Sequence, residues 1–249
     1  MQKRKLLIGL ALGLASASLS AQTLIVSAAA SLTNAFKEIN TQFEKAHPGV
    51  NIEMTTGASG SLLQQIQQGA PADLFASADQ TTMDRAASQN LIDPATRTDF
   101  VTNSLVLIVP SQSESKVESV DALKDASIQR IAIGKTDTVP VGRYTKQALE
   151  ASGDWETLSP KYIPSDNVRQ VLDYVARGEV DAGFVYRTDA ALMADKVKVV
   201  ATPKTHAPIT YPIAVIAATK EPAVAKQYIQ YLSSDAAREA LARYGFGKP

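Results

Sequence analysis

Apolar positions along this chain switch repeatedly between strand-like and helix-like spacing. Thr23–Ala28 reads as a strand, and Leu32, Ala35, Phe36, Ile39 and Phe43 then share one face of a helix. Pro48-Gly49 breaks that helix, and Asn51–Thr55 alternates as a second strand. Leu62, Leu63 and Ile66 begin a second helix that ends at Gly69, a C-cap, and Ala72–Ala76 is a third strand. Strand-helix-strand-helix-strand in this order predicts a parallel sheet with helices on both faces.

The alternation continues downstream. Leu105–Val109 is a strong apolar strand followed by Pro110 and a polar loop over Ser111–Glu118. Arg130–Gly134 and Tyr211–Ala217 read as further strands. Ala223–Tyr244 reads as helix, with Val224, Tyr228, Tyr231 and Leu232 on one face. A short pattern also recurs. Gln65–Gly69 leads through Asp73 into Leu74-Phe75, and Tyr174–Gly178 leads through Asp181 into Gly183-Phe184-Val185. In both, a helix closes on Gly and an Asp-bearing turn enters a buried strand, which suggests two lobes of similar design. Crossings near Asn103-Ser104 and near Thr210-Tyr211 divide the chain into one lobe of residues 22–103 plus 212–249 and a second of 104–211. A ligand then binds between them, at the carboxyl ends of parallel strands.

Four segments read as helix starts built from small, hydroxylic or Gly/Pro-flanked residues: Ala28–Ser31, Gly57–Ser61, Val139–Gly142 and Ser165–Val168. A helix start presents unpaired N–H groups and the positive end of the macrodipole, and both attract anions. Several such starts aimed at one place make a cage for a small oxyanion without Lys or Arg. Each candidate also has a plainer role. Ser31 follows a strand and precedes an amphipathic run, so it suits an N-cap, the commoner job of such a serine. Ser59 sits among glycines that let backbone approach closely, and Ser61 as the cap would leave Ser59 free. Val141 and Val168 offer only their N–H groups. On sequence alone Val141 reads better as a packed valine, and Val168 as the first core residue of the stripe Val168, Val171, Leu172, Val175. Tyr186 closes a buried strand and could donate its O–H into a cleft, though a tyrosine bonded to backbone is commoner. Asp166 is expected to cap its helix or point away, Arg143 to lie on a solvated helix face, and Trp155 to pack within a lobe.

Charge and composition narrow the reading. The 249 residues carry 25 basic and 25 acidic side chains, which gives no electrostatic case for nucleic acid. Lys3-Arg4-Lys5, an apolar run over Leu6–Leu14 and small residues up to Ala21 read as a cleaved secretory signal over 1–21. Gln22 then becomes the first residue, with Ala17 an alternative cleavage site. The mature chain keeps 22 basic and 25 acidic residues, a formal −3, so an anion must be attracted locally. There is no cysteine, which excludes disulfides, thiol catalysis and thiolate metal sites, and two histidines, His47 and His206, cannot form a His-rich metal site. Export without disulfides suits a bacterial periplasm. No nucleophile elbow, P-loop or dinucleotide fingerprint occurs, and neither histidine sits in a catalytic context (His47 falls in a Lys-Ala-His-Pro-Gly break typical of a surface loop), so the chain is not expected to be an enzyme.

Several stretches resemble the periplasmic molybdate-binding proteins of ABC importers: Ala28–Ala35, Gly69–Phe75, Val139–Gly142, Gly183–Tyr186 and Arg243–Phe246. The similarity covers nearly the whole mature chain. It implies an α/β, two-lobed type II periplasmic binding protein fold, each lobe a mixed, mainly parallel sheet flanked by helices. It also implies an oxyanion held between the lobes by two serine hydroxyls, a tyrosine hydroxyl and backbone amides. The matching positions are Ser31, Ser59, Val141, Val168 and Tyr186. A relative has Ala at Val141 and some have Ser at Gly60; neither exchange removes a backbone donor. The resemblance further implies molybdate or tungstate as ligand, a membrane permease as partner and a monomer. No cofactor is expected, the metal being carried as its oxyanion. A shell of donors alone suits a fully deprotonated dianion better than hydrogen phosphate, which needs an acceptor for its proton. Sulfate or another tetrahedral dianion is the alternative cargo, an organic solute or metal chelate a weaker one. A regulatory ligand-sensing domain is opposed by the signal and by the lack of a DNA-binding module.

Overall fold

The computed structural model describes residues 22–113, 117–205 and 207–249; the leader expected over 1–21 and His206 lie outside the described residues. β1 (Gln22–Ala29), β2 (Val50–Gly57) and β3 (Leu74–Ala76) pair in parallel with β1 central, joined by α1 (Thr33–Ala46) and α2 (Ser59–Gln67). α3 (Gln80–Ser88) and β4 (Thr98–Asn103) follow. The chain then crosses at Ser104 into a second sheet through β5 (Leu105–Pro110). That sheet continues with β6 (Ile131–Gly134), α4 (Pro140–Ala151), the single turn α5 (Trp155–Leu158), β7 (Tyr162–Ser165), α6 (Val168–Ala176), β8 (Ala182–Tyr186), α7 (Arg187–Leu192) and β9 (Val197–Ala201). β10 (Ile209–Val215) returns to the first sheet, and α8 (Pro222–Tyr231) and α9 (Asp235–Arg243) complete the chain.

The two sheets share one plan. Their strand orders are β2-β1-β3-β10-β4 and β7-β6-β8-β5-β9. In each, four strands run one way and one runs against them, β10 in the first and β5 in the second. Each reversed strand is the one that enters straight after a crossing. This is the expected two-lobed arrangement of mixed sheets flanked by helices. No helix among the described residues is long and apolar enough to cross a membrane.

The repeated sequence pattern has one physical cause in both lobes. Gly69 and Gly178 take left-handed backbone, φ +89° and +68°, which L side chains resist. Each closes its helix in a Schellman arrangement: Ala70 N–H reaches Gln65 O and Glu179 N–H reaches Tyr174 O, both at 2.9 Å. Asp73 then accepts from the Ile25 N–H of β1 at 2.7 Å, and Asp181 from the Arg130 N–H just before β6 at 2.8 Å. A carboxylate thus pins the entry of one strand, β3 or β8, to its parallel neighbour, β1 or β6, once in each sheet.

The apolar stripe on α1 faces the core, with Phe36, Ile39 and Phe43 fully buried. β5 is buried on both faces, which is why Leu105–Val109 is apolar throughout. One expectation needs correction. The C-terminal segment is two helices, because the chain turns at Ser233-Ser234 and the Ser234 hydroxyl caps α9 by accepting from Ala237 N–H. Tyr231 is consequently only half-buried, its ring edge-on to Phe43.

α4 sits unusually close to β6. A Cβ on Gly142 would lie 2.1 Å from the Gly134 carbonyl oxygen, so only glycine allows this approach. Gly142→Ala is therefore expected to destabilise the protein by about 1–3 kcal/mol, the usual cost of overpacking. Urea unfolding of the two proteins side by side measures it.

Candidate functional site

Six strands, three from each sheet, end at one small cavity. Ala29, Gly57 and Tyr186 line it from the ends of β1, β2 and β8, and Ala78, Val139 and Asn167 from the segments that follow β3, β6 and β7. All five residues singled out in the sequence, Ser31, Ser59, Val141, Val168 and Tyr186, line this same cavity. It spans about 210 Å³ even counting the part open to solvent. That is below the ~300–1,000 Å³ of sites for drug-sized organic ligands, so the space suits a small ion. No Asp, Glu, Lys, Arg or His is among its lining residues. A larger groove, about 1,110 Å³ with much open solvent, lies at the opposite end of β1 around Thr23, Asp73 and Lys220. Of its two carboxylates, Asp73 is bonded to Ile25 N–H and the Thr219 hydroxyl, and Glu221 accepts from Gln22 Nε2.

The local roles differ in part from expectation. Ser31 is not an N-cap: it lies in a 3-10 turn, Ala30–Leu32, that precedes α1, and α1 has no side-chain cap. Neither Ser59 nor Ser61 caps α2. Ser59 is the first helical residue after Ala58, and Ser61 sits within the helix. Val141 and Val168 are the second and first residues of α4 and α6 and are buried, so each packs its side chain at a helix start whose first N–H groups lack intrahelical acceptors. Asn167 caps α6 by accepting from Arg169 and Gln170 N–H. That leaves Val168 N–H without a partner, and among the described residues none accepts from the N–H of Ser59 or Val141 either. The Gly60 N–H is engaged elsewhere, donating across to Thr138 O at 2.9 Å.

Asp166 points away from the cavity and pairs with Lys135. Arg143 does not lie on a solvated face. Its side chain is 16% exposed and reaches across to the first lobe, pairing with Asp79 at 2.6 Å and donating to the Thr82 hydroxyl at the start of α3. Trp155 packs within the second lobe, its ring 4.6 Å from that of Tyr162. His47 is half-buried rather than simply exposed, stacked 4.0 Å from the Phe43 ring.

Hydrogen-bond accounting decides which way the hydroxyls point. Ser104 N–H donates to Asn103 Oδ1 at 2.9 Å, which fixes the amide so that Nδ2 faces Tyr211 Oη at 3.2 Å. Tyr211 is fully buried, and its own proton finds an acceptor in Ser31 Oγ, 3.0 Å away. Ser31 therefore receives from Tyr211 and keeps its hydroxyl hydrogen for the cavity. Ser59 Oγ likewise accepts, from Ala78 N–H at 3.0 Å, and keeps its hydrogen. Tyr186 Oη is buried and has no hydrogen-bond partner among the described residues. Burial drives the Tyr186 and Tyr211 phenols well above the usual tyrosine range, so both stay protonated donors.

Sequence reasoning missed the residues behind this lining. Tyr211 and Asn103 stand on strands where they read as ordinary sheet positions. Asp79, Arg169 and Asp189 carry charge but lie in no motif, and only the fold brings them near the cavity. Arg169 Nε lies 2.7 Å from Asp189 Oδ1, and Asp189 is fully buried.

Residues 24–247 match the family model described as bacterial extracellular solute-binding protein. The molybdate-binding protein ModA of Escherichia coli is 43% identical over 227 residues, covering 89% of this chain and 87% of that protein. Among solved structures, the substrate binding domain of a putative molybdenum ABC transporter from Clostridium difficile is 38% identical. Its TM-score is 0.69, with 91% of this chain and 99% of that one covered. The periplasmic molybdate-binding protein of Azotobacter vinelandii, at 22% identity, has the same fold with a TM-score of 0.77 over 91% of this chain and 99% of that one.

Burial pushes the Asp189 carboxyl up to about 6, opposed by Arg169 and by a hydrogen bond from the Tyr186 backbone. A carboxyl raised in the folded state favours folding in its protonated form. Its contribution is complete below the ordinary carboxylate pKa, about 4, and is lost as pH rises through about 6. Relative to Asp189→Asn, the wild type should lose on the order of 2 kcal/mol of stability between pH 4 and pH 6.5 and change little above that. Urea unfolding of both proteins across that range tests the sign.

Proposed function

The chain belongs to the family of bacterial extracellular solute-binding proteins, and within it we propose that it captures molybdate outside the cytoplasmic membrane and delivers it to an ABC importer. The observation that carries this reading is the charge-free cavity ringed by helix starts, with one buried phenol that has no partner among the described residues. Buried donors without acceptors are costly, on the order of 1–3 kcal/mol each, unless a ligand completes them. A tetrahedral dianion supplies an acceptor in every direction. The relatives described as molybdate-binding favour that ion among such dianions.

In this reading the anion takes the hydroxyls of Ser31, Ser59 and Tyr186 and the N–H groups at Ser59, Val141 and Val168. Residues 22–103 with 212–249 act as one lobe and 104–211 as the other. Ser31 and Ser59 come from the first, Val141, Val168 and Tyr186 from the second, so ligand bridges the cleft and favours closure. Every group is a donor. Hydrogen phosphate would press its own proton against one of them, which favours rejection, whereas tungstate satisfies the same donors as molybdate and should share the site. Sulfate also satisfies them, but a smaller ion leaves some donors badly placed. The closed, loaded form then docks on a membrane permease and releases its cargo for uptake. The mature protein works as a periplasmic monomer after removal of residues 1–21. The reading assigns it no catalytic step and no resident cofactor.

Titration calorimetry on ligand-stripped protein with molybdate, tungstate, sulfate and phosphate tests the reading. One-to-one binding of the first two, with little heat from the others, is expected. Sulfate bound as tightly as molybdate would keep the cage and move the function to sulfate, and silence with all four would sink the reading. Tyr186→Phe gives a sharper check. It should lower molybdate affinity roughly 10- to 100-fold, as loss of one charge-assisted hydrogen bond does. The ligand-free variant should unfold at equal or higher urea, because an unpartnered buried hydroxyl is gone.

A further inference from the structure

We propose that Arg143 and Arg169, neither of which lines the cavity, act as positioning residues that latch the two lobes over the bound anion and set how slowly it leaves. The proposal rests on the anion reading above. Arg143 stands on α4, two residues past Val141. Across the cleft its Nε and Nη2 lie 2.7 and 2.6 Å from Asp79 Oδ2, and Nη2 donates to the Thr82 hydroxyl at 2.7 Å. Arg169 stands on α6, one residue past Val168. Held by Asp189 of its own lobe, it reaches across with Nη1 to Asn34 Oδ1 at 3.1 Å and Nη2 to Ser31 O at 3.3 Å.

The two arms have the same layout. Each arginine lies one or two residues past a cavity-lining valine of the second lobe. Each grips the first lobe beside a cavity-lining serine: Arg169 on Ser31 itself, and Arg143 on Asp79, next to the Ala78 whose N–H bonds Ser59. Closing the latch therefore brings the second-lobe N–H groups to the first-lobe hydroxyls. These arginine contacts, like the Gly60–Thr138 hydrogen bond between the lobes, are lost when the lobes part. The separated Asp79 and Arg143, 4% and 16% exposed when paired, then recover water. The latch accordingly favours the closed form and is indifferent to which anion lies inside. Differential affinity for one of two forms shifts their balance, and here it appears in the off-rate, because encounter takes place with the open form.

Arg143→Met and Asn34→Ala test this, since Asn34→Ala removes a cross-lobe partner while leaving the buried Asp189 paired. Molybdate dissociation, followed by stopped flow, should accelerate about tenfold in Arg143→Met and several-fold in Asn34→Ala. Association should stay within about twofold, and Arg143→Lys should recover part of the loss. Off-rates within twofold of wild type in both variants would overturn the latch. The chain has no cysteine, so Gln64→Cys with Gln147→Cys gives one spin-label pair across the cleft. If the wild type binds no tetrahedral anion, the anion reading fails, and the label distances judge the latch alone. A short-distance population lost in Arg143→Met supports the latch, and an unchanged distribution overturns it.

Discussion

A donor removed from water needs an acceptor, and the middle of this molecule concentrates donors that the chain does not satisfy. Among the described residues Tyr186 Oη has no partner, Ser31 and Ser59 each accept a hydrogen bond and keep a hydrogen to give, and Val168 N–H lies outside the reach of the Asn167 cap. The rest of the architecture arranges this deficit. Strands end together so that helices begin together, and the helix starts supply N–H groups that no side chain could place as firmly. Asn103 and Tyr211 fix the direction of one hydroxyl from behind. The guanidinium charges of Arg143 and Arg169, just behind the lining, are each matched by a buried aspartate and kept off it.

The same plan is carried out twice. Gly69 with Asp73 and Gly178 with Asp181 close equivalent helices and anchor equivalent strands. The charged pairs echo each other too: Asp79 follows β3 and Asp189 follows β8, and each receives an arginine from a helix of the second lobe. The difference lies in reach. One pair spans the cleft, whereas the other holds its arginine in place to span it.

Much of this was legible in the sequence because the signals were local. The α1 stripe, the Gly69 cap and the continuous apolar run of β5 each follow from a few neighbouring residues, and the small-residue helix starts follow from their composition. What the sequence hid depended on distant partners. Ser31 looked like a cap because a serine before an amphipathic run usually is one; its bond to Tyr211 joins residues 180 positions apart. Arg143 looked solvated because nothing in its own helix says that Asp79 waits across the cleft. The C-terminal stripe looked like one helix because Ser233-Ser234 turns the chain without a glycine or proline to announce it.

The two crossings between sheets are themselves paired. β4 and β10 lie side by side on one bank, with Asn103 opposite Ile209, and β5 and β9 on the other, with Leu107 opposite Ala201. The halves are thus joined by two adjacent straps whose ends are built into sheets. A joint of that kind bends about one axis and resists twisting and sliding. In the closure proposed above, opposing faces return to the same alignment without searching for it, so the accuracy of the closed arrangement is stored in the joint, directly behind the groups that use it.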